Sequence, residues 1–395
     1  MRKTVSALAG IVLGLLFLAS AVANAGENPA FDVKWYGFIK LDGSYDQNLT
    51  SHGNFAMWVK PQVNGRDDEQ FNMTANQTRI GAVLNGTGYH QVRVAGKIEL
   101  DLYGGVSGAT VAQNKALVQL RHAYFTIQSG NTKLLAGQSF DLVSPLNPAT
   151  LNYTELWGCG NIGHRRAQAS LWHTAEAGQQ TTVTAAGGAF RTIGDDLTPT
   201  FSLAAGEMAD GLDDGTDAGI PSFQGQVDIK HDLRSAGYVR MGVSGLWGRL
   251  KAETNFGNYE TYKSWATVGH FEVVLPSGWG FSGEAFTGAN LGTYLGGILN
   301  SSTIEGVATG GGWASAWVKP APKVKVVAGF GVDDPADDDL GAGARSHNSC
   351  VFGNVTYAFV PQTKIGLEVS NWQTKYKDGD TAKNMRVQTS FVLYF

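Results

Sequence analysis

The chain has 395 residues with 30 basic against 34 acidic side chains, a net charge of −4 that leaves no cationic surface for a nucleic-acid partner. Beyond the N-terminus no stretch approaches the ~18 consecutive apolar residues of a spanning helix, which argues against a helical membrane protein. The 52 glycines and 11% aromatics instead suit many strands broken by turns.

In chain order, Arg2 and Lys3 precede the apolar run Ile11 to Ala19, and Ala23-Asn24-Ala25 follows it. Residues 1–25 therefore read as a cleaved signal peptide, and the mature chain should start at Gly26. No hinge, low-complexity tract or charge shift divides the rest, so residues 26–395 read as one domain.

Alternating segments follow at about 33–47, 69–86, 89–104, 115–129, 132–139, 164–173, 179–192, 221–232, 236–250, 258–274, 278–289, 309–319, 322–333, 347–360, 362–375 and 380–395. Their connections alternate between short, as at Gly86-Thr87-Gly88 and Leu275-Pro276-Ser277, and long, as at 48–68, 140–163, 193–220, 251–257 and 290–308. A soluble sandwich has no reason to keep that alternation. Short turns on one rim and long loops on the other predict an all-β, 16-stranded antiparallel transmembrane β-barrel, one per subunit, with both termini periplasmic.

Parity assigns the faces. Val92, Val94, Ile98 and Leu100 point to lipid and Arg93, Lys97, Glu99 and Asp101 to the lumen. Phe223, Val227 and Ile229 point out while Gln224, Gln226, Asp228 and Lys230 point in. Charges with apolar neighbours on both sides require a wet interior, because lipid offers them no partner.

Sixteen strands leave room for an aqueous channel. The third long loop, 140–163, carries Leu142, Val143, Leu146, Leu156, Trp157 and Ile162 and is too apolar for an exposed outer loop, so it is expected to fold into the barrel. Asp141, Tyr153, Glu155 and Trp157 are its candidate constriction residues; the alternative is a loop lying over the rim or a subunit contact. Arg79, Arg93, Lys97, Arg121, Arg165, Arg166, Lys230 and Arg386 are the candidate pore-lining cations. Guanidinium groups on one wall can pass carboxylates along by weak repeated pairing, or can merely neutralise Asp141, Glu155, Glu99 and Asp101.

Cys159 and Cys350 can form one bridge pinning the loop to the far wall, or remain two buried thiols. The acidic runs Glu207–Asp217 and Asp333–Asp339 offer oxygens to Ca²⁺ or Mg²⁺ that could bridge to lipopolysaccharide, but lack the EF-hand spacing, which favours solvated loops; no cofactor is otherwise expected. No nucleophile-elbow, zinc-protease or P-loop pattern supports a barrel-embedded enzyme.

The chain resembles the DcaP-like trimeric porins of Gram-negative outer membranes. The resemblance rests on Tyr36-Gly37-Phe38-Ile39-Lys40-Leu41-Asp42, Arg121-His122-Ala123-Tyr124, Ala136-Gly137-Gln138, Ser144-Pro145-Leu146-Asn147-Pro148, Trp157-Gly158, Gly160-Asn161-Ile162-Gly163, Arg165-Arg166-Ala167-Gln168 and Gly288-Ala289-Asn290-Leu291-Gly292. Ala167 stands where proline is expected, and with the first strand expected at about 33, close after Gly26, the N-terminal coiled-coil extension of some family members is not expected here. The resemblance implies a homotrimer passing small anionic, dicarboxylate-like solutes by passive diffusion, with a non-selective general porin as the alternative. It also implies that the terminal Phe395 is read by the barrel-assembly machinery.

Overall fold

The computed structural model describes residues 31–62, 68–86, 88, 91–104, 116–194, 214–255, 258–300 and 306–395. The expected signal peptide and most of the acidic run 207–217 lie outside the described residues.

The wall is a single antiparallel sheet closed on itself. Its strands are β1 (Phe31–Asp46), β2 in two pieces (Gln70–Thr74 and Arg79–Gly86), β3 (Val92–Asp101), β4 (Gln119–Ser129), β5 (Thr132–Phe140), β6 (Arg165–Glu176), β7 (Thr181–Phe190) and β8 (Ser222–Asp232). They continue through β9 (Tyr238–Asn255), β10 (Asn258–Val274), β11 (Gly280–Ala289), β12 (Ala308–Ala321), β13 (Val324–Pro335), β14 (Arg345–Ala358), β15 (Thr363–Tyr376) and β16 (Thr381–Tyr394). Both pieces of β2 pair with β1, so the barrel has sixteen strands, as the alternation of connections predicts. The expected long connection 251–257 is mostly strand, since β9 runs to Asn255 and β10 starts at Asn258.

β1 closes the ring on β16 from Phe38↔Tyr394 to Asp46↔Arg386. Beyond that ladder, Gly37 N–H donates to Phe395 O at 3.0 Å and Phe395 N–H to Gly37 O at 3.2 Å. Closure matters because an open edge in hydrocarbon would leave a row of unpaired amides and carbonyls, each costing several kcal/mol.

The faces follow parity. Phe223, Val227 and Ile229 are exposed on the outer wall while Gln224, Gln226 and Asp228 are buried inside. Exposed aromatics gather at both rims, with Phe71, Phe223, Trp247 and Trp265 towards the long loops and Trp35, Trp279, Phe281, Phe359 and Phe395 towards the short turns. Aromatic belts at two levels are what a bilayer's two interfaces select. Parity breaks beside the site: a register shift between Glu99 and Leu100 on β3 lets Arg121 and His122 of β4 both point inward, where both are buried.

The lumen is occupied by three long loops. Residues 141–164 cross it as expected, and residues 47–62 and 290–300, expected only to lie within long connections, enter as well. Loop 141–164 reaches the far wall so closely that a Cβ on Gly160 would lie 2.1 Å from Gly312 O, and one on Gly331 would lie 2.1 Å from Cys159 O. Ala56, Val59, Leu146, Leu156, Trp313, Phe352, Trp372 and both cysteines form one buried cluster there. Cys159 and Cys350 are unbridged, and the Cys159 thiol donates to Gly331 O at 3.4 Å. Of the two alternatives the sequence leaves open, this structure has the two buried thiols, and packing and loop hydrogen bonds hold the contact.

The closing seam has a narrow tolerance at Gly37, where a Cβ would sit 2.3 Å from Arg79 O and 2.7 Å from the Phe395 ring. Gly37→Val should destabilise the closed barrel by roughly 2 kcal/mol or more. Heat-modified mobility on semi-native gels reads this directly; a melting profile equal to wild type would contradict it.

Candidate functional site

Loops enter a barrel only if their backbone amides find acceptors, since a dry unpaired N–H costs about 1–3 kcal/mol. The wall supplies carboxylates for this purpose. Glu368 of β15 accepts from Leu151 N at 2.7 Å, Asn152 N at 3.3 Å and Asn354 Nδ2 at 3.0 Å. Glu284 of β11 accepts from Leu146 N at 2.8 Å and from the Ser144 hydroxyl. Asp333 of β13 accepts from Ile298 N at 3.2 Å and Thr309 Oγ1 at 2.9 Å, anchoring loop 290–300.

Two expected pore-lining arginines serve the same purpose. Arg166, 1% exposed, pairs with Asp141 at 2.8 Å, donates to Thr293 O at 3.2 Å and lies 3.9 Å from the Tyr294 ring centroid. Arg386, also 1% exposed, pairs with Asp46 at 2.6 Å and donates to Gly53 O at 3.2 Å and Asn54 O at 2.9 Å. Parity placed both inside correctly, but the loops above them remove them from open lumen. They brace loops 141–164 and 47–62 instead. Asp141 likewise helps to brace the loop, accepting from His164 N at its far end at 2.9 Å and from Gln224 Nε2 of β8 at 2.6 Å.

The remaining cations form one wall on β2, β3, β4 and β6. Arg121 is held by Glu99 at 2.8 Å and Asp101 at 2.7 Å. Lys97 and Arg79 approach the same Glu99 at 3.1 and 3.5 Å, and Tyr36 donates to it at 2.6 Å. Arg165 has no carboxylate within ion-pair distance among the described residues. Its guanidinium donates to His164 Nε2 at 2.9 Å and lies 5.4 Å from the Phe140 ring and 6.0 Å from that of Trp157. Burial, reinforced by the charges of Arg165 and Arg166, pushes His164 well below the ordinary histidine range, so its ring is a neutral acceptor. Three cations thus share two carboxylates and Arg165 adds a fourth charge, so the wall keeps an excess of positive charge.

Facing this wall is the tip of loop 141–164. Glu155 and Leu156 both adopt left-handed backbone, with φ of 50° and 63°, a conformation that costs non-glycine residues about 1–3 kcal/mol each. Glu155 makes no ion pair among the described residues, although its carboxyl feels Arg121, Arg165, Arg79 and Lys40; burial pushes its pKa up and those cations pull it back. The arrangement is a basic wall set against one acidic side chain across a gap.

Loop aromatics complete the narrowing. Tyr153 and Trp157 pack with Met57, Phe55, Trp58, Tyr103, Leu295 and Leu299, so all three loops meet at this cluster. Tyr153 OH donates to Gln119 Oε1 at 2.9 Å, fastening the loop to β4. Arg345 ties loops 47–62 and 290–300 together, lying 4.3 Å from the Trp58 ring and donating to Ile298 O at 2.8 Å. Apolar residues at 291, 295, 298 and 299 carried a signal for this second inward loop in the sequence. Arg93 and Lys230 stand apart, exposed near the short-turn rim. The carboxylates of Asp333, Asp334 and Asp339 are bonded to Thr309, His347 and Ala308 N, and no cluster of three metal-ligating side chains occurs among the described residues.

A closed sixteen-stranded barrel narrowed by inward loops is the architecture of porins. No family model matches the chain, and no curated protein does either. Among solved structures it is similar to the outer membrane channel DcaP of Acinetobacter baumannii, with TM-score 0.71 and 19% identity over 93% of this chain and 98% of that one. It is similar also to the anion-selective porin from Comamonas acidovorans, with TM-score 0.56 and 10% identity over 93% and 100%, and to OmpT of Vibrio cholerae, with 0.55 and 13% over 94% and 100%. The resemblance to DcaP-like porins seen in the sequence holds at the level of the fold.

Removing the acceptors should free the loop. Glu284→Ala combined with Glu368→Ala strands four loop donors, at about 1–3 kcal/mol for each amide left dry. Limited proteolysis should then cut within residues 144–155 of the folded protein; a loop as resistant as wild type would show that packing alone holds it.

Proposed function

We propose that this protein is an outer-membrane diffusion channel that favours small anions, carboxylate-bearing solutes among them. The observation that carries the reading is the charge excess of the wall: Arg79, Lys97, Arg121 and Arg165 against Glu99 and Asp101, with Arg165 unpaired by any carboxylate among the described residues. Arg165 and Arg121 are buried and act through their field, while Lys97 and Arg79, with side chains 26% and 21% exposed, are the cations that a passing carboxylate can reach. Glu155 opposite supplies a transverse field that orients polar solutes as they pass. The anion-selective porin among the structural neighbours is in keeping with this reading. The activity is passive transport, with no enzymatic step. Short turns and both termini face the periplasm, long loops face outward beside lipopolysaccharide, and three copies assemble as in trimeric porins.

A non-selective general porin is the rival, and selectivity separates the two. In planar bilayers under a salt gradient, Arg121→Gln with Arg165→Gln should lower chloride over potassium permeability roughly threefold to tenfold, because Arg79 and Lys97 then only balance Glu99 and Asp101, and Glu155 opposite tips the site to negative. Unchanged reversal potentials would favour the rival.

Glu155 adds a pH dependence. Its raised pKa means that acidification neutralises it sooner than an ordinary glutamate, removing the negative charge opposite the wall. Anion preference should therefore rise as pH falls from neutral to about 4, and Glu155→Gln should show the acid-side preference at neutral pH. A wild type and a Glu155→Gln channel with parallel pH profiles would remove Glu155 from the account.

A further inference from the structure

Below the narrowing, the lumen at the short-turn end carries a feature that the constriction does not use. Lys133 of β5, Lys230 of β8, Lys325 of β13 and Lys364 of β15 each lie within two residues of a strand end at that rim. All four point inward by register. Lys133 pairs with Trp172 on the face of buried Ser170, and Lys230 shares the face of Gln226 and Asp228. Lys325 shares that of Val327, and Lys364 that of Glu368.

Each ammonium rests over an aromatic ring: Lys133 at 4.4 Å from the centroid of Trp172, Lys230 at 4.2 Å from Tyr238, Lys325 at 5.2 Å from Trp317 and Lys364 at 4.8 Å from Tyr394. None of the four has a carboxylate within 4.0 Å among the described residues. The difference matters, because a carboxylate cancels the charge, whereas a ring positions the ammonium through its quadrupole and leaves the net charge in place. The acidic groups at this level have partners of their own. Asp228 is held by Arg240 and His270, both at 2.7 Å, Glu272 accepts from Tyr238 OH at 2.8 Å, and Asp32 sits 3.8 Å from Lys34. Glu176 and Asp232 end their strands at the turns.

We infer that this belt is a second anion site, distinct from the constriction, which takes multivalent anions bearing several phosphate or carboxylate groups. Sixteen strands about 4.8 Å apart and tilted by about 40° enclose a circle of radius roughly 16 Å. Lysine stems reach inward by about a third of that, so the ammoniums stand about one Debye length from the axis at moderate ionic strength. Their fields therefore overlap across the whole opening. A monovalent anion meets one ammonium at a time, but an anion with several spaced charges can engage two or more together. The inference rests on the channel reading only in needing the lumen open to water at this end.

The test is equilibrium binding of inorganic tripolyphosphate to the folded full chain in detergent, followed by calorimetry at low salt. Wild type should bind, and binding should weaken as salt is raised. The variant K133Q/K230Q/K325Q/K364Q should bind roughly tenfold more weakly, while Lys383→Gln, outside on the opposite rim, should bind as wild type. Should the fourfold variant fail to fold, K133Q/K364Q should show an intermediate loss of roughly threefold. No binding by wild type, or equal binding by the belt variants, overturns the inference. Binding requires no conduction, so a barrel that bound tripolyphosphate yet passed no ions would sink the channel reading and leave the belt standing.

Discussion

The organisation of this protein depends on one requirement: peptide groups brought into a barrel must be hydrogen-bonded inside it. The wall satisfies its own backbone sideways, strand to strand, and needs nothing from the lumen. The loops have no such ladder, so wall side chains stand in for one. Glu284, Glu368 and Asp333 accept loop amides, while Arg166 and Arg386 donate to loop carbonyls. Charged residues do this well because a charge-assisted bond is worth roughly twice a neutral one. The buried charges of the barrel interior are therefore largely architectural, and only the minority left over can act on solutes.

That division clarifies the basic wall. Arg121 is both brace and charge, since Glu99 and Asp101 orient it while the surrounding cations exceed those two acids. Arg165 is neither braced nor neutralised by a carboxylate, and it sits where loop 141–164 rejoins β6. The aromatic cluster made by the three loops then fixes the opposite side of the gap. Bracing and net charge thus draw on the same residue types, and Arg121 serves both.

Much of this was legible in the sequence because a barrel strand writes its two faces as a period of two. The sixteen strands, the alternation of rims and the inward third loop all followed from that period and from the apolar residues at 142, 143, 146 and 156. Parity, however, reports a face and not what lies against it. Arg386 and Arg79 share the lumenal face, yet one is covered by loop 47–62 and the other is partly open. The register shift that turns His122 inward beside Arg121 breaks the period locally and leaves no compositional trace. The lysine belt was hidden for a further reason: its members lie far apart in sequence, and only closure of the ring brings them to one level.

The left-handed pair Glu155 and Leu156 has a consequence for how such a channel can change over time. Backbone geometry aims the Glu155 side chain, while the anchors at Ser144, Leu146, Leu151 and Asn152 lie several residues away. The residue at this tip can then be exchanged without disturbing what holds the loop. In the proposed channel the charge facing the basic wall can thus change at this tip while the anchors of the loop stay in place.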